Sequence, residues 1–185
     1  MTEKFDKLNS KVNVLIVLVV ISLFLNLIML SSNESGVNNY DETGNSEVNE
    51  NYDMSQFEEI EASDIASFPK NETNVVYIGR ETCSYCVYMI PNLKEAQKDY
   101  NYTTKYIDIA KIIDYTTNPV TIIDNNAYTI LKNLETVESE EGIMDKFGST
   151  PMMLVIKNNK IIASQVGYSE YDKFAKVLEK GGLKK

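Results

Sequence analysis

A long apolar run near the N-terminus is the first feature of the hydrophobic pattern. Residues 12–30 contain no charged side chain, and short polar segments flank them on both sides. As a helix this run is about 28 Å long at ~1.5 Å per residue, close to the hydrocarbon thickness of a bilayer. We therefore predict that residues 12–30 form a transmembrane anchor. We expect the chain to contact the lipid bilayer through this segment.

A cleaved signal peptide is the alternative interpretation of the same run. The run is longer than the apolar region of a typical signal, and the residues that follow lack small side chains at both positions before a cleavage site. Lys4, Lys7 and Lys11 precede the run, and the next basic residue is Lys70. The positive-inside bias thus predicts residues 1–11 in the cytoplasm and the rest outside the cell membrane. The opposite orientation, with a cytoplasmic redox domain, stays open.

The pattern changes again after the apolar run. Residues 31–53 are rich in Asn, Ser, Glu and Gly and contain almost no large aliphatic side chain. Such a segment buries too little apolar surface to offset the entropy of ordering, so we predict an acidic, disordered linker. An acidic docking segment is the alternative. Regular periodicity returns at residue 54, and we expect one folded domain over residues 54–185.

Within residues 54–185 the apolar spacing switches between the periods of helices and strands. It predicts helix, strand, helix, strand, helix, strand, strand and helix, in that order. The final two strands are joined by Asn158-Asn159, which favours a hairpin turn. This order predicts an α/β domain in which helices flank a mixed central sheet. The predicted helices cover residues 54–68, 83–98, 127–137 and 169–180, and the predicted strands cover 75–78, 104–109, 152–156 and 161–166.

Charge and composition exclude several functional classes. The net charge is −9, but every charged residue between positions 31 and 69 is acidic, and from Lys70 onward acids and bases are equal in number. The folded part is therefore near neutral, and no basic surface suggests nucleic acid. The chain has no histidine, which removes the usual general base and the commonest metal ligand. We predict no metal site and no cofactor.

The candidate chemistry lies in Cys83-Ser84-Tyr85-Cys86, which contains the only two cysteines of the chain. Two thiolates leave a structural zinc two ligands short. The pair falls between a predicted strand and a predicted helix, and a helix N-terminus favours the reactive thiolate. We therefore predict a redox pair. A structural disulfide is the alternative, but so short a loop gains little chain entropy from closure.

Three motifs together resemble the thioredoxin fold over residues 54–185. The pair Cys83 and Cys86 follows a strand and opens a helix, Pro91 stands five residues later, and Thr150-Pro151 precedes a strand hairpin and a last helix. The resemblance implies that Cys83 attacks a substrate disulfide and Cys86 resolves it. It also implies a cis bond before Pro151 and a substrate-binding role for Thr150, Pro151 and Tyr85. The implied partners are cysteine-containing proteins or peptides and a redox partner protein.

Three features point to a narrower family within this fold. They are the predicted anchor, the sequence from Ile78 to Cys83, and the long middle segment, residues 109–146. The chain looks like the membrane-anchored, thioredoxin-like bacteriocin transport accessory proteins of Gram-positive bacteria. It departs from thioredoxins at Tyr77, where they place a buried acid that serves the resolving thiol, and at Thr82, where they carry tryptophan. Tyr77 keeps open an alternative function, a non-catalytic binding module for peptide export. Residues 109–146 are longer than a thioredoxin needs, so they either border the substrate groove or merely fill a loop.

Overall fold

A computed structural model describes residues 51–185. A mixed six-stranded sheet forms the centre of this part of the chain. A separate pair of short strands lies in the middle segment. The strands are β1 (Glu58–Glu59), β2 (Asn74–Gly79), β3 (Thr104–Asp108), β4 (Ile113–Asp114), β5 (Thr121–Ile122), β6 (Glu135–Thr136), β7 (Met152–Lys157) and β8 (Lys160–Val166). The α-helices are α1 (Ser84–Asp99), α2 (Asn125–Lys132) and α3 (Tyr171–Lys180).

The strand order across the large sheet is β1-β3-β2-β7-β8-β6. Strands β1, β3 and β2 run parallel to one another, whereas β7 is antiparallel to both β2 and β8. The predicted α/β class, a mixed central sheet with helices, is confirmed. The order also makes β2 a central strand, and its carboxyl end leads directly into the turn that carries the two cysteines.

Two hydrophobic cores cover the two faces of this sheet. Alternate residues of β2 face opposite sides, so Val75 and Tyr77 join one core while Val76 and Ile78 join the other. The first core contains the buried side chains of α1 and α3, including Leu93. The second contains buried residues of α2 and of the middle segment. Because both faces are covered, β2 is fully buried along its length.

Helix α1 agrees with the prediction for residues 83–98. Cys83 is its N-cap residue and Tyr100 its C-cap, and the helix continues through Pro91. Its buried face follows the expected spacing at Cys86, Met89 and Leu93, among others. The position of the cysteine pair at the start of a helix is therefore confirmed.

The predicted helix over residues 54–68 is wrong in its first half. Glu58 and Glu59 instead form a short strand beside Lys105 and Tyr106 of β3, and a 3₁₀ helix covers Ala62–Ser67. The Ile60 N–H donates to the carbonyl of Tyr106 at 2.9 Å. Pairing with an exposed sheet edge thus satisfies backbone groups that a helix would have satisfied internally.

The predicted hairpin and last helix are largely confirmed. Asn158 and Asn159 both have positive φ, 52° and 60°, as a tight hairpin turn requires. Helix α3 ends at Gly181 as expected. Its predicted start was wrong, because Glu170 and not Ser169 is the N-cap residue. The Ser169 hydroxyl donates to the carbonyl of Glu170 instead.

The middle segment resolves into short elements. A 3₁₀ turn at Ile109–Lys111 leads into the antiparallel pair β4–β5, and the predicted helix over 127–137 is the shorter α2. Beyond α2, β6 adds to the edge of the large sheet beside β8. A 3₁₀ helix then covers Ile143–Lys146. We call residues 113–122 the β4–β5 hairpin.

The predicted cytoplasmic segment 1–11, the anchor 12–30 and most of the linker lie outside the described residues. Over residues 51–185, no helix has both the length and the apolar character needed to cross a membrane. Two residues of the predicted linker do contact the domain. The Tyr52 hydroxyl donates to that of Tyr106 at 3.0 Å, and Asp53 pairs with Lys94 at 2.6 Å.

Candidate functional site

The sulfur atoms of Cys83 and Cys86 lie at disulfide-bonding distance, with their Cα atoms 5.1 Å apart. Cys83 is 8% exposed and Cys86 is fully buried. This difference follows from the helix, since Cys83 is the N-cap residue and Cys86 faces the core one turn later. Of the two cysteines, therefore, only Cys83 keeps any surface accessible to solvent.

The start of α1 provides hydrogen bonds to the Cys83 sulfur. The backbone N–H of Cys86 donates to Cys83 Sγ at 3.2 Å. Backbone N–H groups at a helix N-terminus have no partner inside the helix and carry partial positive charge. A thiolate at Cys83 is stabilised by this arrangement, as is usual for reactive cysteines at helix starts.

The loop before β7 lies directly against the cysteine pair. The Thr150–Pro151 peptide bond is cis, as the resemblance implied. The carbonyl oxygen of Thr150 lies 3.7 Å from Cys83 Sγ. The Pro151 carbonyl accepts the Gly167 N–H at 2.8 Å, so this residue is committed to the sheet. The carbonyl of Thr150 is consequently the backbone group of this loop that lies beside the Cys83 sulfur.

Tyr77 occupies the position where thioredoxins carry a buried acid. Its side chain is fully buried, and its hydroxyl donates to the backbone carbonyl of Cys86 at 3.1 Å. Burial, with a smaller contribution from Tyr52, raises the pKa of Tyr77 far above the ordinary tyrosine value. The hydroxyl is therefore protonated and acts as a hydrogen-bond donor. It holds the main chain of the second cysteine.

Tyr77 belongs to a cluster of aromatic rings beneath the site. Its ring stacks on that of Tyr106 with centroids 6.0 Å apart, and Tyr52 meets Tyr106 edge to face at 6.2 Å. Burial also raises the pKa of Tyr52 and of Tyr106 far above the ordinary value. The cluster provides neutral packing and fixed hydrogen bonds under the first turn of α1.

Exposed aromatic side chains follow Cys83 along the first turns of α1. Tyr85 is 62% exposed and Tyr88 is 63% exposed, and their rings meet edge to face at 6.5 Å. Tyr168 is also exposed, and the neighbouring Ser169 carbonyl accepts a bond from Asn92 of α1 at 2.8 Å. Residues 82–93, 147–156 and 161–169, which meet here, contain no charged side chain.

Arg80 is half-buried. Its guanidinium lies over the ring of Tyr115 at 4.2 Å from the centroid, and one of its N–H groups donates to the Thr82 hydroxyl. Tyr115 also donates from its hydroxyl to the Gly148 carbonyl at 2.7 Å. The β4–β5 hairpin therefore contacts both loops of the site, the one before Cys83 and the one before Pro151.

The structure brings together Cys83, Cys86, Thr150 and Pro151, while Tyr85 lies exposed one residue before the second cysteine. Sequence reasoning missed Tyr115 entirely. Its segment has no clear apolar period, and the bond to Gly148 joins positions 33 residues apart. Tyr88 could have been found from the sequence. It follows Tyr85 by three positions and lies outside the apolar face of the helix, so two tyrosines are expected side by side on its outer face.

Fold and site together define the chain as an α/β protein with a C-x-x-C disulfide at the N-terminus of a helix. Comparison with protein-family models and with curated proteins gave no match.

Proposed function

We propose that the chain is a membrane-anchored, extracytoplasmic thiol–disulfide oxidoreductase with Cys83 and Cys86 as its redox pair. The proposed fold is thioredoxin-like, and the mixed sheet with its flanking helices is compatible with it. The observation that carries the proposal is the disulfide at the start of α1, 3.7 Å from the carbonyl of Thr150 before a cis-proline. A purely structural disulfide does not need a cysteine that keeps some accessible surface beside such a loop.

The proposed reaction is dithiol–disulfide exchange in two steps. In the reduced protein the Cys83 thiolate attacks one sulfur of a substrate disulfide, and the other substrate sulfur leaves as a thiolate that takes up a proton. The Cys86 thiolate then attacks Cys83 Sγ and releases the second substrate thiol. The substrate gains two electrons and the pair becomes a disulfide. A dithiol partner protein returns it to the reduced form, and the reverse sequence oxidises substrates.

Substrate binding is assigned to the surface around Cys83. An extended peptide pairs with the backbone of Thr150, as strands pair at a sheet edge. Tyr85 and Tyr88 offer aromatic contacts beside it, and the absence of charge in residues 82–93 suits apolar segments. Secreted peptides such as bacteriocins, handled near an export machinery, are the proposed substrates. The narrower role as a bacteriocin transport accessory protein rests on the sequence resemblance.

The decisive experiment replaces the second cysteine by Cys86→Ala in the native membrane. Without its resolving thiol, Cys83 is expected to retain substrates as mixed disulfides that are identified after reduction. The matched control is the double variant Cys83→Ser/Cys86→Ser, which keeps the size of both side chains and traps nothing. Absence of any Cys83-dependent adduct under several growth conditions contradicts the proposal.

A non-catalytic binding module is the second candidate. It is favoured by Tyr77, whose hydroxyl bonds the main chain of Cys86 and leaves no carboxylate at that position to move the proton of the resolving thiol. An insulin-reduction assay with the full chain separates the two candidates. A chain that fails to reduce insulin, while its double serine variant still binds the same partner, favours the binding module.

The proposed topology has its own test. The N-terminus is assigned to the cytoplasm and the redox pair to the outer side of the membrane, on the basis of the three lysines before residues 12–30. Reporter fusions at the C-terminus are expected to be active only for the reporter that functions outside the cytoplasm. Activity of a cytoplasmic reporter at that position overturns this orientation.

A further inference from the structure

We propose that Tyr115 of the β4–β5 hairpin is a positioning residue that joins the two loops of the redox site and sets the spacing of the Cys83 sulfur and the Thr150 backbone, which a substrate peptide contacts together. This inference rests on the proposed function and deepens it. It assigns a task to a segment longer than the thioredoxin resemblance requires. The two contacts of one side chain carry it, the hydroxyl bond to Gly148 and the ring contact with Arg80.

The first contact reaches the loop before Pro151. Gly148 has a positive φ of 99°, a backbone conformation that few residues other than glycine adopt. Its carbonyl accepts the Tyr115 hydroxyl at 2.7 Å, two residues before Thr150. A Cβ at Gly148 would also stand 3.5 Å from a methyl group of Ile113. The hairpin therefore packs against this loop and bonds it.

The second contact reaches the loop before Cys83. The central carbon of the Arg80 guanidinium lies over the Tyr115 ring, 4.2 Å from the ring centroid, a favourable cation–π distance. The Arg80 carbonyl accepts the Cys83 N–H at 3.2 Å, and its side chain donates to the Thr82 hydroxyl. Arg80 is thus bonded to the turn that ends in the attacking sulfur.

Together the contacts form a clamp, by which we mean Arg80, Tyr115 and Gly148. The clamp connects the loop of Cys83 with the loop of Thr150 through an element outside both. Cys83 Sγ and the Thr150 carbonyl oxygen lie 3.7 Å apart, close to contact. A peptide must contact both atoms at once, whereas a small thiol reagent needs only the sulfur. Loosening the clamp should therefore slow reaction with peptides selectively.

The test measures the first chemical step alone, in the full chain carrying Cys86→Ala. The probes are an extended cysteine peptide activated as its thiopyridyl disulfide, and a thiopyridyl disulfide without a peptide. In each reaction the Cys83 thiolate forms a bond to the probe sulfur and thiopyridone leaves. Tyr115→Phe removes the hydroxyl and keeps the ring. We expect this substitution to raise the peptide concentration that gives half of the maximal rate by about threefold to tenfold, the range for one lost hydrogen bond.

The same substitution is expected to leave the maximal rate and the reaction with the peptide-free probe within about twofold. The matched control is Tyr128→Phe, which removes a hydroxyl from the same middle segment, at a ring that packs against Phe147. Arg80→Lys keeps the charge but loses the planar guanidinium that makes the cation–π contact with the ring. Because both changes open one clamp, the double variant should be hardly worse than either alone.

The inference is overturned if Tyr115→Phe slows the reactions with the two probes equally, or if the reaction with the peptide probe does not change. A loss in Tyr128→Phe as large as that in Tyr115→Phe also overturns it. Failure of the clamp and failure of the proposed function are distinguishable. The probes need neither turnover nor Cys86, so insulin reduction by the unmodified chain decides the function independently.

Discussion

Removal of one buried hydroxyl, in Tyr77→Phe, tests how the main chain of the second cysteine is held. The tyrosine hydroxyl donates to the Cys86 carbonyl at 3.1 Å, and the side chain is fully buried. Phenylalanine keeps the ring that stacks on Tyr106 at 6.0 Å. The substitution therefore deletes a hydrogen bond while nearly all of the packing remains.

The expected loss is about 1 kcal/mol in the free energy of unfolding, the usual net value of one intramolecular hydrogen bond. The unfolding entropy is about 0.28 kcal/mol/K for residues 51–185, at ~2.1 cal/mol/K per residue. The melting temperature should accordingly fall by about 4 °C. Scanning calorimetry of the oxidised full chain measures it. Tyr88→Phe is the control, since this residue is 63% exposed and surface changes stay within about 0.5 kcal/mol.

The same variant tests the role of Tyr77 in catalysis. Its hydroxyl bonds the backbone and stays protonated, because burial raises its pKa far above the ordinary value. Insulin reduction should therefore stay within about twofold of the unmodified chain. The reasoning is refuted if the melting temperature does not change. It is equally refuted if turnover is lost while stability is kept, since the hydroxyl would then be handling a proton.

Three further predictions concern packing, a buried pair and pH. Gly79→Ala places a Cβ within 2.8 Å of the Tyr77 ring, so urea unfolding should show a loss of about 1–3 kcal/mol, and an unchanged midpoint contradicts this. Glu140 is buried and pairs with Lys180. Glu140→Gln should lower the free energy of unfolding by about 1–2 kcal/mol in the same urea assay, and a loss of less than half of that contradicts the pairing. The pKa of Asp114 is lowered because the hydroxyl and backbone N–H of a nearby threonine donate to it. Its contribution to stability is present above about pH 4 and is lost as pH falls through the lower folded pKa. An NMR titration midpoint at or above the unfolded value contradicts it.

The α/β class and the location of the cysteine pair were predictable because local patterns determine them. The continuous apolar run of β2 and the apolar spacing of α1 are local signals that do not depend on distant residues. A helix start at Cys83 follows from its place between those elements. The cis bond before Pro151 was implied by the resemblance alone and could not be read from spacing.

The edge strand β1 and the contacts of the β4–β5 hairpin were not predictable from the sequence. Glu58 and Glu59 became a strand because β3 offered an open edge, and that edge exists only after the sheet has formed. The role of Tyr115 depends on Gly148 and Arg80, which are distant in the chain and carry no shared pattern. Arg80 looked like a surface residue because a charged side chain next to another is usually solvated.

The sequence by itself determined the charge distribution, the single cysteine pair, and the alternation of strands and helices that leads into it. Each of these is a property of neighbouring residues. Only the tertiary structure decided that Cys83 faces the Thr150 carbonyl, that Tyr77 bonds the Cys86 main chain, and that the β4–β5 hairpin reaches both loops. These contacts depend on which strands become neighbours in the sheet, and packing of the whole domain selects that order.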